Sequence, residues 1–265
     1  MQDQKFNSKK IIMVKLEIKP AALAALFFIF AFPAVMHSQS VLQRTPNISD
    51  GWVPDAVQFN FLHRMWTQEI GPDTRILASP TFLLGMPVTG KGMATIRYAP
   101  NSTVVQAHEV EIFGRYLVAD AADGPPLGIA VNGGYNTAAN SIDGAILMNY
   151  QTGRFILSGT VRAFSDAYQT SDFRASFGGG LVVEITSSIA LGADILSLAN
   201  LKEDERIAWG AGLQLRVPAS PHTFSVQVTN ARTSTLQGSS RGHDTIMWGF
   251  EFTMPMTFLG KGIAN

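Results

Sequence analysis

The chain has 265 residues, with 20 basic and 20 acidic side chains making up 15% of it, and no cysteine. Without Cys there is no disulfide framework, no Cys-type zinc site and no lipid-accepting thiol after a leader, and the even charge balance carries no nucleic-acid footprint, so no nucleic-acid partner is expected. The charged fraction is well under the ~25% of soluble proteins, while mean hydropathy is only +0.13, which points to a large surface away from water that is not built from long apolar runs.

Residues 1–40 read as a signal peptide. Lys5, Lys9, Lys10, Lys15 and Lys19 precede the apolar run Ala21 to Val35, and Pro33 with Ser38-Gln39-Ser40 suits processing. That run is shorter than the about 20 residues a transmembrane helix needs. Met13 is an alternative start, since the residues after it supply a basic leader to the same apolar core. Removing the leader leaves 225 residues with 15 basic and 18 acidic side chains, a net of −3. No later apolar stretch is long enough for a helical span. Residues 41–55 read as an N-terminal periplasmic segment and 56–265 as one domain.

From Ala56 to Trp66 the chain places Val57, Phe59, Phe61 and Met65 on one face and Gln58, Asn60 and Arg64 on the other, which is the period of a strand and not of a helix. The pattern returns in Phe155 to Ala163, in Phe224 to Thr229 and in Ile246 to Thr253. Twelve such runs begin near Ala56, Ile76, Gly92, Val104, Leu127, Gly144, Arg154, Arg174, Ile189, Arg206, Thr223 and Thr245. Each is about ten residues long, the length with which a tilted strand crosses hydrocarbon, and an even count suits a single-chain bacterial barrel. Pro80 removes a ladder donor in the second run and predicts a bulge or an edge-like distortion there.

Connections alternate in length, as they do between periplasmic turns and external loops. With a periplasmic N-terminus, Thr67 to Arg75, Ser165 to Phe173, Asn200 to Glu205 and Ala231 to Asp244 lie outside. Gln151 to Gly153 and Thr186 to Ser188 lie inside, with Val217 to His222 a longer inside turn. Trp52 and Trp66 bracket the first strand, and Tyr98, Tyr116, Tyr135 and Tyr150 fall near strand ends, where interfacial girdles place aromatic rings.

Alternation does not say which face is outside, and a soluble lipocalin-like binding barrel has the same period with its apolar face inward. The charged residues decide it. Arg64, Arg97, Glu109, Glu111, Arg115, Arg162, Glu184, Asp194, Arg216 and Glu251 all fall on the polar face, together with Gly178, Gly180, Gly192, Gly210 and Gly212. A barrel of about twelve strands is too wide to be filled by one apolar residue per pleat, so these charges are expected to line a lumen and the apolar face to meet outer-membrane lipid. The expected fold is therefore all-β, a closed antiparallel transmembrane barrel of the outer membrane.

The stretch His222 to Phe258 (HTFSVQVTNARTSTLQGSSRGHDTIMWGFEFTMPMTF) resembles the C-terminal part of a bacterial family described only as a membrane-bound β-barrel domain of unknown function. Phe59 to Met65 (FNFLHRM) is similar to that family's first strand, and Glu109 to Leu117 (EVEIFGRYL) to its alternating middle strand. The resemblance implies a fold and a location and supplies no reaction.

Three readings of function follow. Luminal charges set selectivity in pores, which favours passive passage of small solutes or ions; the same charges as structural ion pairs would make a closed barrel, and Glu109, Glu111 and Arg115, on one face of one strand, suggest a local salt-bridge cluster. A lipid-modifying hydrolase would need a nucleophile and an orienting acid beside His63, His108, His222 or His243, and no such spacing occurs. A docking barrel would act through Ala231 to Asp244. No catalytic, cofactor or metal residue is assigned, and the chain is not expected to be an enzyme.

Overall fold

The computed structural model describes residues 41–48, 53, 56–104, 108–120 and 126–256. Residues 1–40, read as a leader, and Trp52 lie outside the described residues.

Alternating apolar and polar residues satisfy two environments only as strands, and strands with no covered edge must close on themselves. The chain does this with twelve antiparallel strands: β1 (Val57–Ile70), β2 (Asp73–Thr89), β3 (Gly92–Ala99), β4 (Glu109–Ala119), β5 (Leu127–Asn136), β6 (Ser141–Thr152), β7 (Phe155–Phe164), β8 (Arg174–Thr186), β9 (Ile189–Leu198), β10 (Ala208–Arg216), β11 (Thr223–Thr229) and β12 (Met247–Met256). Each pairs with its neighbours in sequence, and β1 pairs with β12 from Val57↔Met256 to Met65↔Trp248, which seals the barrel.

The expected starts agree with these strands to within three residues, except at β4. It begins at Glu109 and not near Val104, because the chain before it turns: the Val104 amide is held by the Ser102 hydroxyl and Asn101 caps the Ala78 carbonyl. The connection expected over Thr67 to Arg75 is a taller hairpin, in which β1 and β2 stay paired out to Ile70↔Asp73 and turn at Gly71–Pro72. Pro80 lies beyond the last β2–β3 pair, Phe82↔Tyr98, so its missing donor falls where β2 has lost that neighbour; the bulge itself lies between Pro87 and Thr89.

The outer wall carries Ile112, Tyr116, Ile142, Ile146, Leu157, Val161, Phe177, Leu191, Ile195, Val226 and Trp248, all exposed. Left in water, such a belt far exceeds the apolar patch a soluble monomer shows. Facing inward are Gln58, Asn60, Arg64, Arg97, Glu111, Asn132, Asn136, Arg162, Asp194, Gln214, Gln227 and Glu251, all buried. Polar inside and apolar outside is the reverse of a lipocalin-like binder, and that alternative is set aside. Tyr116, Tyr135 and Tyr150 are exposed on the outer wall as a girdle requires, but Trp66 is buried on the inward face, where the Arg232 guanidinium stacks 4.9 Å from its ring.

Candidate functional site

The lumen is where the polar faces of all twelve strands converge, and two irregular segments of the chain occupy it. The first is Val41–Ile48, which the sequence suggested would precede the barrel as part of a periplasmic segment. Its described residues run inside the wall. Leu42 is buried among Ile156, Val182 and Ala190, at the mouth where the short turns join β7, β8 and β9. Further in, Asn47 donates to Asp194 through its backbone N–H (2.6 Å) and through Nδ2 (2.8 Å). Arg44 is ion-paired with Glu251, and its carbonyl accepts from Gln214.

The inward glycines of β8 to β10 make room for this segment. A Cβ at Gly210 would stand 2.6 Å from Asn47 Nδ2 and 2.9 Å from a Pro46 carbon, and one at Gly180 would stand 2.8 Å from a Thr45 methyl. The space at Gly180, Gly210 and Gly212 faces side chains of Thr45, Pro46 and Asn47, that at Gly192 faces the Gln214 amide and the Arg44 carbonyl, and that at Gly178 faces Leu196 of the neighbouring strand.

The second segment is the β11–β12 connection. It is not the free external loop that its Ser, Thr, Gly and Arg content suggested, because Ala231, Thr233, Thr235, Leu236, Gln237, Ser239 and Ser240 are all buried. The Asn230 carbonyl accepts from the His243 amide, and Gly242 bridges Arg206, so the stem is closed while the tip folds inward. At the tip, Gln237 Nε2 donates to both oxygens of Asp143 (3.1 Å each), the Tyr168 hydroxyl donates to the Gln237 carbonyl (2.8 Å), and the Leu236 amide donates to Glu111 (2.6 Å). Polar residues without charge can enter a polar lumen when every backbone group finds a partner there.

Two arginines hold both segments at once. Arg64 donates through Nη1 to the Ala231 (2.7 Å) and Thr233 (3.1 Å) carbonyls, and through Nη2 to the Pro46 carbonyl (2.9 Å) and Gln227 (3.0 Å). Arg162 donates through Nη1 to the Leu236 carbonyl (3.0 Å), Ser239 (2.8 Å) and Ser240 (3.0 Å), and through Nη2 to the Asn47 carbonyl (2.9 Å). Both side chains are buried to within 1% of their surface.

Of the other charges read from the sequence, Arg97 pairs with Glu111 across β3 and β4 at 2.5 Å. Glu109 accepts from Asn136 (2.7 Å) and Ser102 (3.0 Å), and Arg115 donates to Asn132 (3.0 Å). The cluster expected along β4 is thus spread across its neighbours, since Glu111 and Arg115 stand four residues apart, roughly 13 Å along a strand. Glu184 and Arg216 lie near the ends of β8 and β10 at the short-turn mouth; Glu184 is half-buried and Arg216 exposed. The sequence reading missed Arg44 and Asn47, which lay outside the assumed barrel, and Asp143 and Arg174, which stand at the very start of their strands.

At the opposite mouth Arg174 is ion-paired with Glu205, and Arg241 lies 3.8 Å from the same carboxylate and 4.0 Å over the Tyr168 ring. Burial pushes the Glu205 carboxyl up, but hydrogen bonds from Arg174 and the Lys202 amide and the charges of Arg174 and Arg241 hold it below the usual range. Burial pushes the Tyr168 phenol up. In the loop stem, burial first and then the charges of Arg232 and Arg241 push the His243 imidazole down to about 4, with Asp244 opposing.

Between the N-terminal segment, the loop and the wall there remains a cavity of about 20 Å³, lined in part by Arg44, Asn60, Thr81, Arg97, Ser234 and Glu251. That is space for about one water molecule. Among the described residues no group of three or more His, Asp or Glu side chains could hold a metal ion. His63 lies on the outer wall with its ring against Phe61 (5.7 Å) and Phe250 (5.6 Å), and His108 is hydrogen-bonded to the Tyr98 hydroxyl (2.9 Å).

A closed, even-stranded antiparallel barrel with an apolar wall and a polar interior is an outer-membrane-type β-barrel. Among solved structures the chain is similar to the KdgM porin, at 9% identity and a TM-score of 0.53 over 76% of this chain and 99% of that one. It is similar too to the KdgM porin in complex with disordered oligogalacturonate, at 8% identity and a TM-score of 0.53 over 76% and 99% of the two chains. A NanC porin structure aligns over 76% of this chain and 99% of that one, at 9% identity and a TM-score of 0.48. At these identities the likeness is one of fold. The sequence matches no protein-family model and no curated protein.

Proposed function

We propose that this chain is an outer-membrane barrel for passive transport whose lumen is closed by its own N-terminal segment and β11–β12 loop, so that small solutes or ions pass only when the loop is withdrawn. Membrane lipid is the partner that the apolar belt requires, and the basic, apolar leader of residues 1–40 supports export to the outer membrane. The likeness in fold to a porin supports the same location. The observation that carries the reading is the grip of Arg64 and Arg162 on the carbonyls of both inserted segments.

Twelve strands enclose more space than their own side chains fill, so withdrawal of the loop would leave a charged passage. The test is conductance in planar bilayers of the refolded protein and of a variant in which residues 231–242 are replaced by a short Gly-Ser connection. A nearly silent parent and a conducting variant are expected. Steady conductance by the parent would overturn the closure. Silence from both, and also from a loop variant lacking residues 41–48, with each barrel shown folded by its heat-modifiable gel mobility, would overturn passive transport and leave a structural barrel.

A further inference from the structure

The two inserted segments come from opposite mouths of the barrel. Leu42 anchors the first at the end with short turns, where β8 finishes and β9 begins, and the β11–β12 loop enters from the other end. They meet on the same two side chains. Each guanidinium divides its donors, with Nη1 on the loop and Nη2 on a carbonyl of the N-terminal segment, Pro46 for Arg64 and Asn47 for Arg162. A guanidinium is a planar fork whose donors are fixed relative to one another. Loss of the Asn47 carbonyl loosens Arg162, and loss of the Pro46 carbonyl leaves Nη2 of Arg64 on Gln227 alone; as either fork shifts, the bonds on its other side lose their geometry.

We infer that the N-terminal segment and the β11–β12 loop are energetically coupled through Arg64 and Arg162, so that withdrawing the N-terminal segment at one mouth releases the loop at the other. Such coupling is reciprocal by thermodynamic necessity. It does not depend on whether the opened lumen conducts.

The wall offers a way to displace one segment without touching the other. A side chain at Gly210 meets Asn47 and Pro46 first and the Asp194 carboxylate next, none of which belongs to the loop. Gly210→Leu therefore evicts the N-terminal segment from its slot. The loop is read separately by Thr235→Cys, because Thr235 is fully buried, its hydrogen bonds to Thr233, Gly238 and Ser239 stay within the loop, and the chain has no cysteine of its own. The rate of labelling by a bulky, membrane-impermeant maleimide reports how often the loop swings out.

In the folded barrel, Gly210→Leu is expected to speed labelling of Thr235→Cys by ~10-fold or more, within the usual range of coupling between sites. Reciprocally, replacing residues 231–242 by the Gly-Ser connection is expected to speed labelling of Thr45→Cys, a buried position of the N-terminal segment, by a similar factor. This second arm also decides the matter if Gly210→Leu does not fold. In an Arg64→Leu/Arg162→Leu background both reporters are expected to label fast, and neither perturbation adds more than about 2-fold, because the carrier of the coupling is gone. An unchanged labelling rate in either arm of a folded barrel overturns the coupling, and full effects persisting without the arginines overturn their role in it.

Discussion

Replacing Arg162 by Met keeps a long unbranched side chain and removes the guanidinium. Four hydrogen bonds are lost: three to the loop, at the Leu236 carbonyl, Ser239 and Ser240, and one to the Asn47 carbonyl. Bonds from a charged donor contribute about 1.5–3 kcal/mol each when made. The sum overstates the loss, because the Leu236 carbonyl keeps its bond from the Ser240 hydroxyl (2.7 Å) and the cost of burying a guanidinium is relieved. A net weakening of loop docking by about 3 kcal/mol remains, which multiplies the open population by ~100. In single-channel records, Arg162→Met should convert a nearly silent barrel into one with frequent discrete openings, while its heat-modifiable mobility shows the wall intact. Records indistinguishable from the parent's would refute the claim that this arginine holds the loop in place.

Acid should act through the loop stem. The docked loop holds His243 neutral, with its pKa depressed to about 4 from the ordinary 6.5, so the contribution of this group to closure is complete above about pH 6.5 and is lost as pH falls toward 4, by at most ~3 kcal/mol. Loop labelling at Thr235→Cys should rise over that range and should rise less in His243→Gln. Gly249 lies at the seam, where an added Cβ would stand 2.1 Å from the His63 carbonyl oxygen; Gly249→Ala should sharply lower the yield of heat-modifiable barrel on refolding, and a normal yield would show that the seam has slack. Arg97 and Glu111 form a buried pair, so Arg97→Met alone should cost about 3 kcal/mol in urea unfolding in detergent, because it leaves the carboxylate unpaired. Adding Glu111→Gln should recover part of that cost, and a further loss in its place would refute the pairing argument.

Strand count, order and facing were legible because each rests on a local rule. A period of two assigns faces strand by strand, as in Phe59 and Phe61 outward against Gln58 and Asn60 inward, and turn residues mark the ends. The same parity assigns the ten charges to the inward face, and eight of the ten are buried. What fills the lumen was not legible. Ala231 to Asp244 has the composition of an external loop, and nothing in it repeats with a period that would report its surroundings. Its place is set by Arg64, Arg162, Glu111 and Asp143, on four strands far away in sequence. Trp66 misled for a related reason: its position at a strand end suits a girdle, while the parity set by Arg64 already placed it inward. The one sequence signal for the N-terminal insert was the run of inward glycines on β8 to β10, since a wall that gives up its side chains along one track has something of backbone width to receive.

Why the wall holds these segments with arginines, and not with apolar packing, follows from where they lie. Irregular backbone at membrane depth is tolerated only if its carbonyls and amides are satisfied by protein. The Pro46, Asn47, Ala231, Thr233 and Leu236 carbonyls have no ladder partner; Ala231, Thr233 and Leu236 are buried, and the cavity beside Pro46 and Asn47 has space for about one water, which offers little solvent to replace it. Each wall arginine carries five donors in a fixed plane, enough to satisfy two unrelated stretches of backbone together. Lysine, a rotating point charge with three donors, could satisfy either stretch without tying it to the other. Arg64→Lys and Arg162→Lys should therefore keep more of the loop docking than the leucine variants while losing most of its dependence on the N-terminal segment. In the labelling assay this appears as a small rise in the basal rate and a response to Gly210→Leu that falls toward 1. An undiminished response in the lysine variants would mean that charge at these positions suffices, and that the fork geometry does not carry the coupling.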